Sequence, residues 1–366
     1  MSAERIPLVD LAAQNREVAD EVRRGLEGLV ERSAFILGEA VAAFEDAFAR
    51  FVGVRHCVGV GSGTDALELA LRALGVGPGA EVILPANTFI ATAMAVLRAG
   101  ATPVLVDCDA ETLLIDVAAA RARVSARTAA VIAVHLYGQM APLEELEPIG
   151  PALVEDAAQA HGARRNGRAA GTAARIAATS FYPAKNLGGW GDGGAVLTGD
   201  GTLAGRVRAL RNYGSERKYE HPAPGFNSRL DAVQAVVLRA KLERLEAWNA
   251  MRRAAAAFYD ELLADVPEVG RPRTAPGNEH AYHLYVVRVR RRDLVLRRLL
   301  GAGIEAGVHY PQPIHLQGAL RALGHGRGDF PCAERAAAEV LSLPIFPHIR
   351  AEQQRRVVDE LRRAIA

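Results

Sequence analysis

Short aliphatic and β-branched runs recur along the middle of the chain and restrict the folds it can adopt. They alternate with helix-like or loop segments and span residues 82–85, 103–107, 130–134, 152–156 and 194–198. Runs of this kind are typical of strands that are buried on both faces of a sheet. They predict an α/β fold built on a mostly parallel sheet that is flanked by helices.

The pattern changes toward the C-terminus. Residues 233–253 have helical apolar spacing and are interpreted as one long amphipathic helix that leads to a second domain. Residues 282–290 then alternate like a strand, residues 293–300 look helical, and a Gly/Pro-rich stretch at 301–328 precedes a last pair of helices. We therefore predict a large domain with an N-terminal arm over residues 1–240 and a smaller α+β domain over residues 241–366.

Polar side chains end several of the predicted strands. Asp107, Asp109, His135 and Asp156 each close or directly follow an apolar run. In open α/β sheets the ligand crevice lies beyond the carboxyl ends of the strands. We therefore expect the ligand-binding or catalytic residues at these positions.

The charge and cysteine content exclude several classes of protein. The chain has 44 basic and 42 acidic residues and a net charge of +2, which does not indicate nucleic-acid binding. Its three widely spaced cysteines form neither a disulfide framework nor a zinc motif, so a reducing cytoplasm is expected. The sequence has no signal-peptide pattern and no apolar run near the roughly 20 residues that would span a bilayer. We expect a soluble protein that binds no membrane.

A glycine-rich segment at residues 59–67 leads into a helical pattern. Backbone N–H groups at such a helix start, together with the helix dipole, favour a phosphate. The segment is not a Walker A loop, and Thr64 replaces the third glycine of a dinucleotide-binding motif. The alternative interpretation is a tight turn in which Ser62 or Thr64 is only the N-cap of the helix.

Asp156 follows an apolar strand and precedes residues 157–162 (AAQAHG). A carboxylate buried there needs a cationic partner, and a protonated pyridine nitrogen would be one. The alternative is that Asp156 caps the next helix. His161 could hydrogen-bond the Asp156 carboxylate or be an ordinary core histidine.

Lys185 lies between a strand-like run and a glycine-rich turn, in residues 180–188 (SFYPAKNLG). An apolar, partly desolvated seat would keep its amine neutral and nucleophilic toward an aldehyde. Most lysines are simply solvated, so the context carries the hypothesis. The glycine-rich segment, Asp156 and Lys185 together supply what a pyridoxal phosphate site requires: a phosphate cup, a carboxylate for the pyridine nitrogen and a Schiff-base lysine.

An ordered set of motifs resembles the nucleotide-sugar aminotransferases of the DegT family, which have the aspartate aminotransferase-like fold type I of pyridoxal phosphate enzymes. The resemblance covers essentially the whole chain. Its motifs are residues 6–11 (IPLVDL), 35–38 (FILG), 61–67 (GSGTDAL), 87–93 (NTFIATA), 135–139 (HLYGQ), 155–162 (EDAAQAHG), 180–194, 227–231 (NSRLD) and 309–311 (HYP).

The resemblance implies a role for each residue of the cofactor site. Lys185 would form the Schiff base with pyridoxal phosphate and later shuttle a proton between cofactor and substrate. Asp156 would pair with the pyridine nitrogen, Gln159 would lie by the 3-hydroxyl and Phe89 would stack on the ring. Asn227 would reach the phosphate from the other subunit of a homodimer. Gly63, Thr64 and Ser180 would hold the phosphate from the subunit that contributes Lys185.

The resemblance is strongest to members that aminate carbon 3 of a nucleotide-linked hexose, through residues 211–219 and 226–229. It implies substrate contacts for Tyr182, Lys218, Arg229, His309 and Tyr310. Each has an ordinary alternative: Lys218 and Arg217 could belong to a solvated loop, Arg229 could pair with Asp231, and His309 and Tyr310 could stabilise a Pro-containing loop. Thr179 and Trp190 depart from the family pattern, and Trp190 could reshape the pocket.

The implied enzyme moves an amino group from an L-amino acid, by resemblance L-glutamate, to a 3-keto sugar linked to dTDP or UDP. A 4-keto sugar or a keto-inositol is the alternative acceptor. Lys185 argues against the dehydratase branch of the family, which typically has histidine at this position. A regulatory protein that keeps the fold without catalysis would be expected to have lost site residues, and this chain has them all.

Overall fold

A computed structural model describes residues 5–215, 217 and 219–366, so Lys218 lies outside the described residues. None of the helices in these residues is long and apolar enough to cross a lipid bilayer. The α-helices are α1 (Leu11–Arg32), α2 (Gly38–Val52), α3 (Gly63–Ala73), α4 (Ile90–Arg98), α5 (Val117–Ala122), α6 (Leu143–Leu146), α7 (Gly201–Leu210), α8 (Ala232–Leu242), α9 (Leu245–Leu262), α10 (Arg292–Gly301), α11 (Pro331–Glu339) and α12 (Ala351–Ile365).

The strands form one large sheet and two small ones. They are β1 (His56–Val60), β2 (Glu81–Pro85), β3 (Thr102–Val106), β4 (Thr128–Val134), β5 (Ala152–Asp156), β6 (Arg164–Arg165), β7 (Arg168–Ala169), β8 (Ile176–Ser180), β9 (Gly194–Thr198), β10 (Asn278–Glu279), β11 (Tyr285–Arg288) and β12 (Val340–Leu343). Short 3-10 helices cover Leu136–Gly138, Glu147–Ile149, Ile314–Leu316 and Gly318–Leu323.

The large sheet confirms the predicted α/β fold. Its seven strands are ordered β1-β9-β8-β5-β4-β2-β3, and each of the five predicted runs forms one of them. The neighbours from β8 to β3 are parallel, whereas β9 is antiparallel to both β1 and β8. Because β5 and β8 are adjacent and parallel, their carboxyl ends place Asp156 and Ser180 at the same edge of the sheet.

The prediction of one long helix over residues 233–253 is wrong. The chain forms α8 and α9 there, with a break at residues 243–244 where the Arg244 N–H bonds to the carbonyl of Lys241, three residues back. The two helices pack on different parts of the molecule. Helix α8 lies against α1 and α2, and α9 lies against α12. A single straight helix could not present one apolar stripe to both surfaces.

The C-terminal part contains the predicted strand and helices and has a core of its own. Strands β11 and β12 pair antiparallel, and α9, α10 and α12 pack together beside them. Buried Tyr259, Val287 and Leu361 belong to this core, and so does Ile6 of the N-terminal arm. The predicted domain boundary after residue 240 falls within α8, two residues before the helix ends. The division into domains stays a prediction.

Candidate active site

A pocket of about 430 Å³ opens at the carboxyl ends of β5 and β8 and is covered by the N-terminal arm and the C-terminal part of the chain. It brings together residues that are up to 302 positions apart in the sequence, from Leu8 to Tyr310. Of the predicted site residues, those that line it are Gly63, Thr64, Phe89, Asp156, Gln159, Ser180, Tyr182, Lys185, His309 and Tyr310.

Lys185 occupies a turn directly after β8, where its backbone N–H donates to the carbonyl of Tyr182 at 2.8 Å. Burial lowers the pKa of its amine to about 8, although the nearby Asp156 carboxylate opposes the shift. About a tenth of the amine is therefore neutral at pH 7, and the neutral amine is the form that attacks an aldehyde.

The chain contains three lysines: Lys185, Lys218 and Lys241. Burial also lowers the pKa of Lys241 to about 8. The Lys241 amine, however, donates to the carbonyl of Gly188 at 2.9 Å and does not line the pocket. Of the two described lysines, only Lys185 is placed to react with a ligand.

The Asp156 side chain ends β5 and faces the pocket, only 6% exposed. Its carboxylate accepts hydrogen bonds from the Thr92 hydroxyl at 2.9 Å and from the backbone N–H of Ala158 at 3.2 Å. Burial outweighs these bonds and raises the pKa of Asp156. Neither bond is an ion pair, so a protonated ring nitrogen would supply the countercharge that this buried carboxylate lacks.

The N-terminus of α3 forms the opposite wall. Ser62 caps the helix, since its hydroxyl accepts from the Asp65 N–H at 3.1 Å, and this cap is compatible with both interpretations of the segment. Gly63 and Thr64 follow in the first turn and face Ser180. A Cβ on Gly63 would lie 2.5 Å from the Cβ of Ser180, so only glycine permits this close approach. The free N–H groups and the hydroxyls of Thr64 and Ser180 fit a phosphate.

An aromatic and polar wall completes the pocket. The Gln159 amide is fixed at both ends: its oxygen accepts from the Tyr137 N–H at 2.6 Å, and its nitrogen donates to the Tyr310 hydroxyl at 3.0 Å. The ring of Phe89 is half exposed and its centroid lies 5.2 Å from that of Tyr310. The carbonyl of His309 accepts from the Tyr137 hydroxyl at 2.6 Å. A planar cofactor ring would fit against Phe89.

Two predicted residues lie outside this pocket. Asn227 is exposed and its backbone bridges to Asn212. The Arg229 guanidinium donates to the Asn212 side-chain oxygen at 3.2 Å and lies 5.7 Å above the ring of Tyr213. These contacts replace the ion pair with Asp231 that was the ordinary alternative for Arg229. Neither residue lines the pocket that contains Lys185 of the same chain, so the cofactor role of Asn227 and the substrate role of Arg229 stay predictions.

Trp190 does not reshape the pocket of its own chain. Its indole N–H donates to the Asn15 side chain at 2.9 Å, and the ring borders a surface groove along α1. Thr179, the other departure from the family pattern, bonds to His161 Nε2 at 2.9 Å. His161 therefore contacts Thr179 instead of Asp156, and burial lowers its pKa to about 3.

The other polar residues at strand ends are structural. His135 Nε2 lies 2.8 Å from the buried Glu155 carboxylate, and its Nδ1 accepts from the Ala141 N–H. Glu155 also accepts from three backbone N–H groups. The Asp107 carboxylate accepts from the N–H groups of Cys332 and Ala333 at the start of α11.

His283 lines the pocket and was missed by sequence reasoning. It lies just before β11 in a segment that the sequence marks only as a strand. Leu8 and Val9 of the N-terminal arm also line the pocket, within a motif that carried the family resemblance without an assigned role.

The residues present fit pyridoxal phosphate. Their donor set offers a nucleophilic amine at Lys185, an unpaired buried carboxylate at Asp156 and a phosphate cup that any side chain at position 63 would fill.

Comparisons with known proteins agree with this geometry. A model of the DegT/DnrJ/EryC1/StrS aminotransferase family matches residues 16–362. The dTDP-3-amino-3,4,6-trideoxy-alpha-D-glucose transaminase of Streptomyces venezuelae is 46% identical over 362 residues, which cover 98% of this chain and 96% of that protein. The erythromycin biosynthesis sensory transduction protein EryC1 of Saccharopolyspora erythraea is 47% identical over 361 residues, which cover 98% and 99%.

Among solved structures, S. venezuelae DesV in complex with a ketimine intermediate has a TM-score of 0.96 at 46% identity, covering 99% of this chain and 98% of that one. These comparisons confirm the predicted family and fold class. The chain belongs to the DegT/DnrJ/EryC1/StrS aminotransferase family.

Proposed function

We propose that the protein is a pyridoxal phosphate-dependent aminotransferase that moves an amino group from L-glutamate to a 3-keto sugar linked to dTDP or UDP, in amino-sugar biosynthesis. The observation that carries this proposal is the amine of Lys185, kept partly neutral by burial, in one pocket with Asp156 and the N-terminus of α3. The S. venezuelae relative, which is named for a dTDP-linked 3-amino sugar, supports carbon 3 as the site of amination.

Bound pyridoxal phosphate supplies an aldehyde that carries the amino group between substrates and a ring that withdraws electrons from the reacting carbon. The Lys185 amine holds the cofactor and moves the proton at the reacting carbon. Asp156 keeps the ring nitrogen protonated, because a cation there relieves the cost of the buried carboxylate. The α3 N-terminus, Thr64 and Ser180 anchor the phosphate, and Phe89 orients the ring.

The site supports an enzyme over a regulatory protein without catalysis. A regulatory protein has no need of a lysine amine with a lowered pKa beside a buried carboxylate, and both are present. The sensory transduction name of the Saccharopolyspora relative belongs to that protein. The residues that the cofactor chemistry needs are all present in the described part of this chain.

We further propose a homodimer with shared active sites. Asn227 and Arg229 lie outside the pocket of their own chain, and exposed Phe35, Ile36 and Trp190 leave apolar surface for a second copy to cover. We also propose that the protein is cytoplasmic, which its free cysteines at 57, 108 and 332 support.

The reverse reaction tests the proposed function with stable compounds. Protein loaded with pyridoxal phosphate is given dTDP-3-amino-3,4,6-trideoxy-α-D-glucose and 2-oxoglutarate, and L-glutamate is measured together with the keto sugar. We expect both products in equal amounts, and neither from Lys185→Ala. Loaded wild-type protein that forms no glutamate from this or other 3-amino nucleotide sugars would contradict the proposal.

A further inference from the structure

His283 is a pocket residue to which the proposed mechanism gives no task. The side chain is 8% exposed and lines the pocket that contains Lys185. Burial and the nearby Lys185 amine hold the pKa of His283 well below its ordinary value. Its Nδ1 atom lies 3.3 Å from the side-chain oxygen of Asn186, the residue next to Lys185.

Two backbone carbonyls fix the orientation of the amides behind His283. The Asn249 amide nitrogen donates to the carbonyl of His161 at 2.8 Å, so the Asn249 oxygen must point toward Asn186. The Asn186 nitrogen donates to that oxygen at 2.9 Å and to the carbonyl of Ala281 at 2.9 Å. Because a carbonyl can only accept, neither amide can be flipped without losing these bonds.

This frame determines which nitrogen of His283 carries the proton. The remaining Asn186 group is its oxygen, which accepts only, so His283 Nδ1 must be protonated to bond to it. In the neutral imidazole the proton is then absent from Nε2, which becomes an acceptor. No described residue donates to Nε2. The other pocket histidine is different, because His309 Nδ1 contacts the Ser342 hydroxyl, which can donate or accept.

We propose that His283 Nε2 accepts a hydrogen bond from the sugar hydroxyl next to the carbon that receives the amino group. The chemistry of the two substrates selects the sugar. Apart from its reacting nitrogen, L-glutamate offers only carboxylate oxygens, which a fixed acceptor repels. A keto sugar offers O–H donors beside its carbonyl. His283 is thus a determinant of acceptor recognition, and this inference rests on the function proposed above.

Separate measurement of the two half-reactions tests this assignment. In single-turnover spectra, L-glutamate converts loaded enzyme to the pyridoxamine form, and dTDP-3-amino-3,4,6-trideoxy-α-D-glucose does the same from the sugar side. We expect the rate of the glutamate reaction in His283→Phe to stay within about twofold of wild type. We expect the sugar reaction to slow roughly tenfold, or to need a roughly tenfold higher sugar concentration for half-saturation, which is the effect of one lost hydrogen bond.

Two further variants separate this role from a structural one. In His283→Gln the amide oxygen can reach the position of Nε2, so we expect it to restore part of the sugar reaction. His280→Phe is the matched control, because His280 is in the same segment, is partly buried with its pKa lowered to about 3, and lines a different cavity. We expect it to change neither half-reaction. Equal loss of both half-reactions in His283→Phe would overturn the proposal, and so would no loss in either.

The hydroxyl itself is tested with the 2-deoxy analogue of the same amino sugar, since carbon 2 carries the only ring hydroxyl next to its amine. We expect removal of this hydroxyl to slow the sugar half-reaction of the wild type roughly tenfold and to leave that of His283→Phe about unchanged. If hydroxyl removal slowed the wild type and His283→Phe by the same factor, the proposal would be overturned. Nitrogen-15 histidine spectra, assigned by difference from His283→Phe, provide a readout without turnover: we expect the Nδ1–H tautomer, and the Nε2–H tautomer would overturn it. Failure of the glutamate reaction in wild type would instead contradict the proposed function.

Discussion

The hydroxyl of Thr92, in the first turn of α4, donates a hydrogen bond of 2.9 Å to the Asp156 carboxylate at the end of β5. Thr88 lies behind it, with its hydroxyl 2.8 Å from that of Thr92. The pair stabilises the ionised carboxylate in a site where burial raises its pKa. In the proposed mechanism, Asp156 is ionised and pairs with a protonated cofactor ring.

We expect Thr92→Val to weaken the binding of pyridoxal phosphate by roughly 10- to 100-fold, since a hydrogen bond to a charged group contributes about 1.5–3 kcal/mol. Titration of the apoprotein with cofactor, followed by absorbance, measures this. Thr88→Val is the matched control: Thr88 is one hydrogen bond further from the Asp156 carboxylate, so its substitution should lower the cofactor affinity much less. Equal affinity of wild type and Thr92→Val would show that Asp156 does not hold the cofactor through its charge.

Lys185 and Lys241 both have a lowered pKa, and this pair allows a clean test of the reacting amine. Borohydride reduction of the loaded protein, followed by peptide mapping, should place the cofactor on Lys185 alone. Lys185→Ala should abolish the adduct, whereas Lys241→Met should retain it, because the Lys241 amine is bonded to the Gly188 carbonyl away from the pocket. An adduct on residue 241 or 218 of the wild type would refute the assignment.

The pKa of about 8 for Lys185 sets a pH dependence for cofactor capture. A lowered pKa means that the amine loses its proton at lower pH, so roughly a tenth is neutral at pH 7 and nearly all above pH 9. We expect the rate of covalent capture by the apoprotein to rise about tenfold between pH 7 and pH 9 and then to level off. A rate that keeps rising beyond pH 10 would indicate an ordinary solvated lysine.

Hybrid dimers test whether Asn227 serves the opposite subunit. Asn227→Ala should weaken cofactor retention, and Asn212→Ala, its bridged neighbour, should not. When Lys185→Ala chains are mixed with Asn227→Ala chains, each hybrid dimer should regain one site with both native residues and wild-type cofactor affinity. If Asn227 acted within its own chain, no site in the hybrid would contain both residues, and the affinity would not recover.

The elements that sequence predicts best are those whose burial is recorded in their composition. The aliphatic runs of β2 to β5 are enclosed by the sheet and its helices, and each forms a strand where predicted. The break between α8 and α9 was missed because both helices continue one apolar spacing. The surfaces on which they pack are set by tertiary structure, which the local pattern does not contain.

The site divides in the same way. Asp156 and Lys185 could be found because each follows a recognisable strand, and the pocket contains both. His283 could not, because its value as an acceptor depends on two residues that are distant in sequence. Asn186, which contacts His283, is 97 positions from it, and Asn249, which contacts Asn186, is 63 positions from Asn186. Trp190 shows the converse: its place beside Lys185 in sequence suggested the pocket, but a bond to Asn15 directs it to α1.

A single-turnover spectrum with two acceptors tests the proposed amino acceptor most directly. The purified protein is converted to its pyridoxamine form with L-glutamate, freed of excess donor, and mixed separately with a 3-keto and a 4-keto nucleotide sugar. We predict that the absorbance of the pyridoxal form returns with the 3-keto sugar and stays absent with the 4-keto sugar. Return with the 4-keto sugar alone would contradict the proposed acceptor.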